Sequence, residues 1–261
     1  MIQIIGILNC TPDSFSDGGD YSVAELVERG LKMAGEGADW IDVGGESTRP
    51  GAKPVSAEEE LRRVIPVIHS IREKSRVLIS IDTTKAQVAK ESLNAGASMV
   101  NDVSALAADP AMAGVVRKSG AQVILMHSRG NPQTMQTLAV YDDVVSEVIR
   151  ELKERIAFAL EAGIAKEKIL IDPGFGFAKN FDQNILLLKN LKKFSELGFP
   201  LVVGVSRKSF IGKLTGQDDP SKRVVGSLAA ALWAVQGGAS LLRVHDVPET
   251  RQMLQVFSSI G

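Results

Sequence analysis

Short apolar runs alternate with amphipathic segments along the whole chain. The runs fall at 2–8 (IQIIGIL), 40–45 (WIDVGG), 77–82 (VLISID), 98–102 (SMVND), 122–127 (QVILMH), 168–174 (KILIDPG), 201–206 (LVVGVS) and 241–246 (LLRVHD). Each is short and rich in β-branched or other apolar side chains, the mark of a buried strand. The segments between them carry helix signals. Ser22 with Glu25 and Ser56 with Glu59 have the S-x-x-E capping-box spacing, and Asp219 before Pro220 reads as an N-cap followed by a first-turn proline. Over 144–160, Val144, Val145, Val148, Ile149, Leu152, Ile156 and Leu160 share one helical stripe. Eight strands alternating with helices predict an α/β fold, a (β/α)8 TIM barrel in a single domain over residues 1–261. A doubly wound open sheet is the competing arrangement; the count of eight and the lack of any compositional break favour the barrel. The first connection, 9–19 (NCTPDSFSDGG), is long, polar and glycine-rich, where about two to six residues usually suffice.

The composition, 44% hydrophobic and 23% charged over 261 residues, is that of an ordinary globular chain. A net charge of −1 gives no global field toward nucleic acid or anionic membrane, so anion binding needs a local cluster of cations. Cys10 is the only cysteine, which excludes an intramolecular disulfide and argues against a cysteine metal site. No run approaches the length of a membrane span, and the first lacks the basic lead-in of a signal peptide. The expectation is a cytoplasmic protein.

Every run carries a polar or unusual residue at its C-terminal end: Asn9, Asp42, Asp82, Asn101, Met126, Asp172, Ser206 leading into Arg207 and Lys208, and Arg243 with His245. In a barrel these ends and the loops after them build the active site, and a carboxylate inside an apolar strand is unfavourable without a partner. Taken singly, Asp82 could cap the next helix, although Thr83 and Thr84 are available for that, and Asp172 could set the turn at Pro173-Gly174. Taken together, the three aspartates and Asn101 offer an excess of acceptors, suited to a neutral heterocycle rich in N–H donors. Arg207, Lys208, Arg243 and His245 come from the last two strands and Arg49 from the loop after the second, where barrels often place a phosphate. Arg243 and His245 are two apart and share a face. His69 lies in a helical pattern and His127 has the wrong parity beside Met126, so both read as structural. Two subsites follow, one for a donor-rich ring and one for a phosphate or pyrophosphate.

The segments GILNCTPDSFSDGG, DVGGESTRPGA, ISIDTTKAQVA, NDVSA, MHSRGNP, IDPGFGFAKN, VGVSRKSFIG and LLRVHDV, in that order over residues 5–247, together resemble the dihydropteroate synthase family. That family joins 4-aminobenzoate to 6-hydroxymethyl-7,8-dihydropterin pyrophosphate, a step of folate synthesis and the target of sulfonamides. The resemblance implies that Asp82, Asn101 and Asp172 bind the pterin ring, that Lys208 reaches its oxygen and ring nitrogen, that Met126 and Arg243 flank its faces, and that Asp42 lies at the deep end of the pterin pocket or shapes it. It assigns Asn9, Thr48, Arg49, Arg243, Val244 and His245 to pyrophosphate, with the Asn9 oxygen also on Mg²⁺. It assigns Phe15, Thr48, Pro50, Phe177, Lys208 and Ser209 to aminobenzoate. Catalysis would rest on Arg49, Asp82, Asp172, Lys208, Arg243 and His245: pyrophosphate leaves first, the aspartates stabilise the pterin cation, and the amine attacks. Loops 9–19 and 45–56 would close as lids, and the apolar segment 224–236 would serve a homodimer. Two positions depart from the family pattern, Ala178 where glycine is common and Cys10 where a small apolar residue is expected. A methyltetrahydrofolate:corrinoid methyltransferase would share the acceptor cluster but has no use for STRPG or the Arg243–His245 pair. A non-catalytic pterin-binding paralogue could keep the pocket without the reaction.

Overall fold

The computed structural model describes residues 2–11 and 22–260. Eight parallel strands form one sheet: β1 (Gln3–Asn9), β2 (Trp40–Gly44), β3 (Leu78–Asp82), β4 (Met99–Asp102), β5 (Gln122–Met126), β6 (Ile169–Asp172), β7 (Val202–Val203) and β8 (Leu241–Val244), in the order β6-β5-β4-β3-β2-β1-β8-β7. A bridge between Ile171 and Leu201 joins the two ends of that order, so the sheet closes into a (β/α)8 TIM barrel. The helices outside it are α1 (Val23–Gly35), α2 (Ala57–Lys74), α3 (Ala86–Asn94), α4 (Met112–Ser119), α5 (Val144–Glu161), α6 (Phe181–Lys189), α7 (Leu191–Ser195), α8 (Ser209–Thr215), α9 (Val224–Gln236) and α10 (Val247–Ile260).

Strand parity divides the core in two. Ile5, Trp40, Met99, Ile124, Leu170, Val202 and Leu241 pack together as a separate cluster inside the barrel. Their strand neighbours Ile4, Ile41, Val100, Val123, Ile169, Val203 and Leu242 belong to the larger cluster shared with the helices. Side chains two apart share a face. The residues two beyond the inner cluster therefore also point inward, and these include Asp42, Asn101, Met126, Asp172, Gly204 and Arg243. The apolar floor and the polar mouth are the same six strands read two residues apart.

The local signals act largely as expected. Ser22 and Glu25 form a reciprocal capping box. Ser56 accepts from the Glu59 amide, but the Glu59 carboxylate turns to Arg62 and Arg63 rather than back to the cap. Asp219 caps Ser221 in the 3-10 turn that leads into α9. On α5 the buried stripe is Val144, Val145, Val148, Leu152, Ile156 and Ala159. Leu160 is exposed, because the helical period brings Ala159, not its neighbour, under the sheet. Strand β7 covers only Val202–Val203 of its run, and Gly204 to Ser206 lie beyond the strand pairing. Among the described residues no helix is long and apolar enough to cross a membrane.

Candidate active site

A pocket opens at the C-terminal strand ends. It is lined by Asp82, Asn101, Met126, Asp172 and Arg243 from strands, with Thr48, Phe177 and Lys208 from the loops between them. All eight are expected site residues. Val103, Phe175 and Gly204 complete the wall and are apolar or absent side chains with no signal in the sequence to mark them.

The floor of the mouth is a buried ion network. Asp42, 1% exposed, accepts from Ser80 Oγ at 2.5 Å, from Asn101 Nδ2 at 3.0 Å and from Arg243 Nε at 2.6 Å. Its acceptors are committed, so it shapes the pocket rather than lining it. Arg243 also donates from Nη2 to Asp82 Oδ2 at 2.7 Å. Burial alone would pull this guanidinium down, but Asp42 and Asp82 outweigh that and hold it up. Arg243 is thus paired with two of the expected acceptors, because strand parity aims it at the barrel axis where the carboxylates converge.

Asp82 Oδ1 is buried and has no hydrogen-bond partner among the described residues. Burial pushes the Asp82 carboxyl up to about 7, against the pull of Arg243 and with the help of Asp42. Burial also raises Asp172, opposed by the Gly174 N–H, which donates to its Oδ1 at 2.7 Å. Lys208 faces the same space with its Nζ 4.6 Å from the Phe177 ring centroid. Burial, then Arg243, draws it down to about 8.

The cationic side is assembled from β8 and the loops. His245 Nδ1 lies 3.1 Å from Ser206 Oγ. Chiefly burial, with Arg207, Arg243, Lys208 and Arg49 adding to the effect, pushes its ring down to about 3, so it is neutral in the free protein rather than a cation. Arg207 is not available to one: it pairs with Asp246, through Nε at 3.1 Å, and ties the loop after β7 to the end of β8. Val244 turns its side chain away from the mouth, toward Ser227, Leu228 and Ala231 of α9, so only its backbone could meet a ligand. Asn9 ends β1 half-buried, Arg49 and Pro50 are exposed in the loop 45–56, and Ser209 is exposed as the first residue of α8, outside the pocket wall. Phe15 and most of loop 9–19 lie outside the described residues.

Among the described residues no group of three or more His, Cys, Asp or Glu could hold a metal ion. Asn9 offers one amide oxygen, which suits a metal that arrives already carrying phosphate oxygens and water.

The structural residues behind the wall explain two motifs. His127 is buried and neutral, pushed down to about 4 by burial and Lys179. Its Nε2 meets Glu151 at 2.9 Å and its Nδ1 meets Lys179 Nζ at 2.9 Å. Lys179 also donates to Gly174 O at 3.0 Å and Phe177 O at 2.9 Å, and so fixes the turn that carries Asp172, Phe175 and Phe177. Lys179 was not among the expected site residues; its signal in the sequence is a lysine directly after the apolar Phe177-Ala178. Ala178 has φ 48°, the left-handed region, which is why glycine suits that position. Cys10 is buried, its thiol pushed up to about 12 by burial, and packs as a small apolar group. His69 is exposed on α2, 3.6 Å from Glu73.

Residues 5–245 match the family model described as pterin binding enzyme. The chain is 51% identical over 255 residues to dihydropteroate synthase of Escherichia coli K12, covering 97% of this chain and 90% of that one. Among solved structures, dihydropteroate synthase of Xanthomonas albilineans with 4-aminobenzoic acid superposes with a TM-score of 0.94 at 50% identity, covering 99% of this chain and 93% of that one. The same enzyme in complex with 7,8-dihydropteroate gives a TM-score of 0.90 at 47% identity over the same shares.

Proposed function

The chain belongs to the dihydropteroate synthase family of pterin-binding enzymes, and from that membership we propose that it joins 6-hydroxymethyl-7,8-dihydropterin pyrophosphate to 4-aminobenzoate, releasing 7,8-dihydropteroate and pyrophosphate. The observation that carries this reading on the chain itself is the buried Asp82 Oδ1, without a hydrogen-bond partner among the described residues and set beside Asn101 and Asp172 in a pocket that Arg243 shares with the cationic side. A pterin ring supplies the missing N–H donors, and each hydrogen bond to a charged acceptor contributes about 1.5–3 kcal/mol.

The residues divide the work. Asp82, Asn101 and Asp172 hold the ring edge, Met126 and Arg243 its faces, and Lys208 its oxygen and ring nitrogen. Pyrophosphate gives Arg243 an alternative partner to the aspartates, joined by Arg49, His245, the Thr48 hydroxyl, Asn9 and the Val244 backbone. If Mg²⁺ binds with the substrate, the Asn9 amide oxygen would hold it and it would further neutralise charge on the leaving group. The bond between the pterin methylene carbon and the pyrophosphate oxygen breaks with its electrons going to oxygen. Asp82 and Asp172 stabilise the cation left on the pterin. The amine of 4-aminobenzoate, held between Phe177, Lys208, Thr48, Pro50 and Ser209 with Phe15 from loop 9–19, attacks that carbon and loses a proton. Burial of the pocket keeps water from competing.

The protein acts in the cytoplasm as a single-domain homodimer on this reading. Support for the dimer is the apolar outer face of α9, where Val225 and Trp233 are exposed. Trp233→Glu is expected to convert the dimer to monomer in sedimentation velocity; a monomeric wild type removes the proposal.

The deciding experiment is pyrophosphate release by the purified protein with dihydropterin pyrophosphate and Mg²⁺, with and without 4-aminobenzoate, followed by chromatography. Stoichiometric dihydropteroate establishes the reaction. Tight pterin binding without turnover would favour the non-catalytic paralogue.

A further inference from the structure

Behind the loop 45–56 lies an ion cluster that the chemistry above does not use. Lys85 Nζ sits between two carboxylates, 2.5 Å from Glu46 Oε2 and 2.6 Å from Glu60 Oε2. Glu60 is wholly buried, and its Oε1 has no hydrogen-bond partner among the described residues. Burial raises the Glu60 carboxyl despite Lys85 and Thr83. Burial works against the Lys85 ammonium too, but its two carboxylates more than compensate. A half-buried base shared between the half-buried Glu46 and the buried Glu60 is a poor way to gain stability, since desolvation of Glu60 offsets much of the attraction. Such a cluster is better suited to fixing the position of one segment against another.

The connections show which segments. Glu46 turns its second oxygen, Oε1, to the Val55 amide at 3.0 Å, closing the neck of the loop. Gly45 O, one residue earlier, accepts from Arg63 Nη1 at 2.9 Å. At the far side the Gly51 amide donates to Pro132 O at 2.8 Å. Lys85 comes from the turn after β3, three residues beyond Asp82. It is not spent on capping α3: Asp109 Oδ2 accepts the Ala86 amide at 2.8 Å, and Thr83 Oγ1 accepts the Lys85 amide at 3.2 Å. The ammonium thus links the strand end that carries Asp82 to the neck of the loop that carries Thr48 and Arg49.

We infer that Lys85, Glu46 and Glu60 form a positioning device that sets the Thr48–Pro50 segment against the mouth, so that the aminobenzoate and pyrophosphate contacts are placed in register with the pterin site. The naming of those ligands rests on the function proposed above; the clasp itself is geometry. Lys85 touches no substrate and acts through the loop. Its loss is expected to leave Asp42, Asn101 and Asp172 in place, because these residues are held by strand pairing and by their own hydrogen bonds.

The test separates the two halves of the site. Lys85→Met is expected to raise KM for 4-aminobenzoate by about tenfold or more, since displacement of a positioned group by an ångström is that costly. Binding of 6-hydroxymethyl-7,8-dihydropterin alone, measured by calorimetry, is expected to stay within about threefold of wild type, a difference of less than 1 kcal/mol. Lys85→Arg, which keeps the charge, should recover part of the KM. If Lys85→Met does not fold, Lys85→Met with Glu60→Leu removes the buried unpaired charge and carries the same expectation. A folded variant with unchanged KM for 4-aminobenzoate overturns the inference, as does an equal loss for both ligands, which is what general loosening would give. A wild type without turnover would instead count against the proposed reaction, and binding of 4-aminobenzoate in the presence of pyrophosphate would then read the clasp.

Discussion

Asp82 keeps one carboxylate oxygen in the barrel mouth unpartnered among the described residues, while burial pushes the group up to about 7 from an ordinary 3.8. The unfolded chain ionises this carboxyl near its ordinary value. Between roughly pH 4 and 7, therefore, the folded state binds more protons and stability falls as pH rises, with the full penalty above the folded value. Asp82→Asn should raise the unfolding free energy at pH 8 by on the order of 2 kcal/mol, an advantage that fades as pH falls toward 4. It should also weaken pterin binding by about tenfold or more. Urea unfolding at pH 8 and pH 5 checks the first part, and equal or lower stability at pH 8 would mean that the Arg243 pair outweighs burial. This residue was legible in the sequence because a carboxylate at an apolar strand end is conspicuous. The charge state of His245 and the commitment of Arg207 to Asp246 were not. Both depend on which groups the fold brings to within a few ångströms from other strands, and spacing along one strand carries no trace of that.

The eight strands and their polar ends could be read from periodicity, because most strand residues are buried on both faces and a polar residue ends most of the apolar runs. The turns were less legible, and the one after β6 shows why. Gly174 has φ 73°, and a Cβ there would lie 1.9 Å from His127 O. The chain reads simply as Pro-Gly, a turn signal, with nothing to say that the end of β5 is in van der Waals contact. Gly51 has a similar φ, 80°, with nothing within 4 Å of a Cβ. Gly174→Ala should destabilise by about 3 kcal/mol or more, combining the left-handed conformation with an unrelieved backbone clash. Gly51→Ala should cost about 1–2 kcal/mol from conformation alone. Thermal unfolding of the pair measures the difference, and similar losses would mean that β5 and β6 can spread at their ends. Leu160, expected on the α5 stripe, is exposed for a simpler reason: successive four-residue steps from Val144 advance the face by about 160° in all, which carries Leu160 off the buried side and leaves Ala159 on it.

At the scale of the molecule, the barrel is not uniformly sealed. Strands β1 and β2 pair over five residues, whereas β6 and β7 meet at the single bridge of Ile171 with Leu201 and the Ile171 N–H to Pro200 O bond at 3.0 Å. The seam ends directly beneath Asp172 on one side and Gly204 on the other, two residues that line the pocket. Sub-global opening follows the weakest cooperative boundary, so the barrel should breathe there, parting the mouth between those two residues while the β1–β2 half stays shut. In hydrogen-exchange measurements on the free protein, the Ile171 amide should exchange at least about tenfold faster than those of Ile41 and Val43. A ring bound between Asp172 and Gly204 should slow it selectively. Equal protection of all three amides would mean that the helices outside, not the strand ladder, hold the seam closed. With unequal protection, the narrowest ladder in the barrel is its hinge line, and ligand binding works as the latch across it.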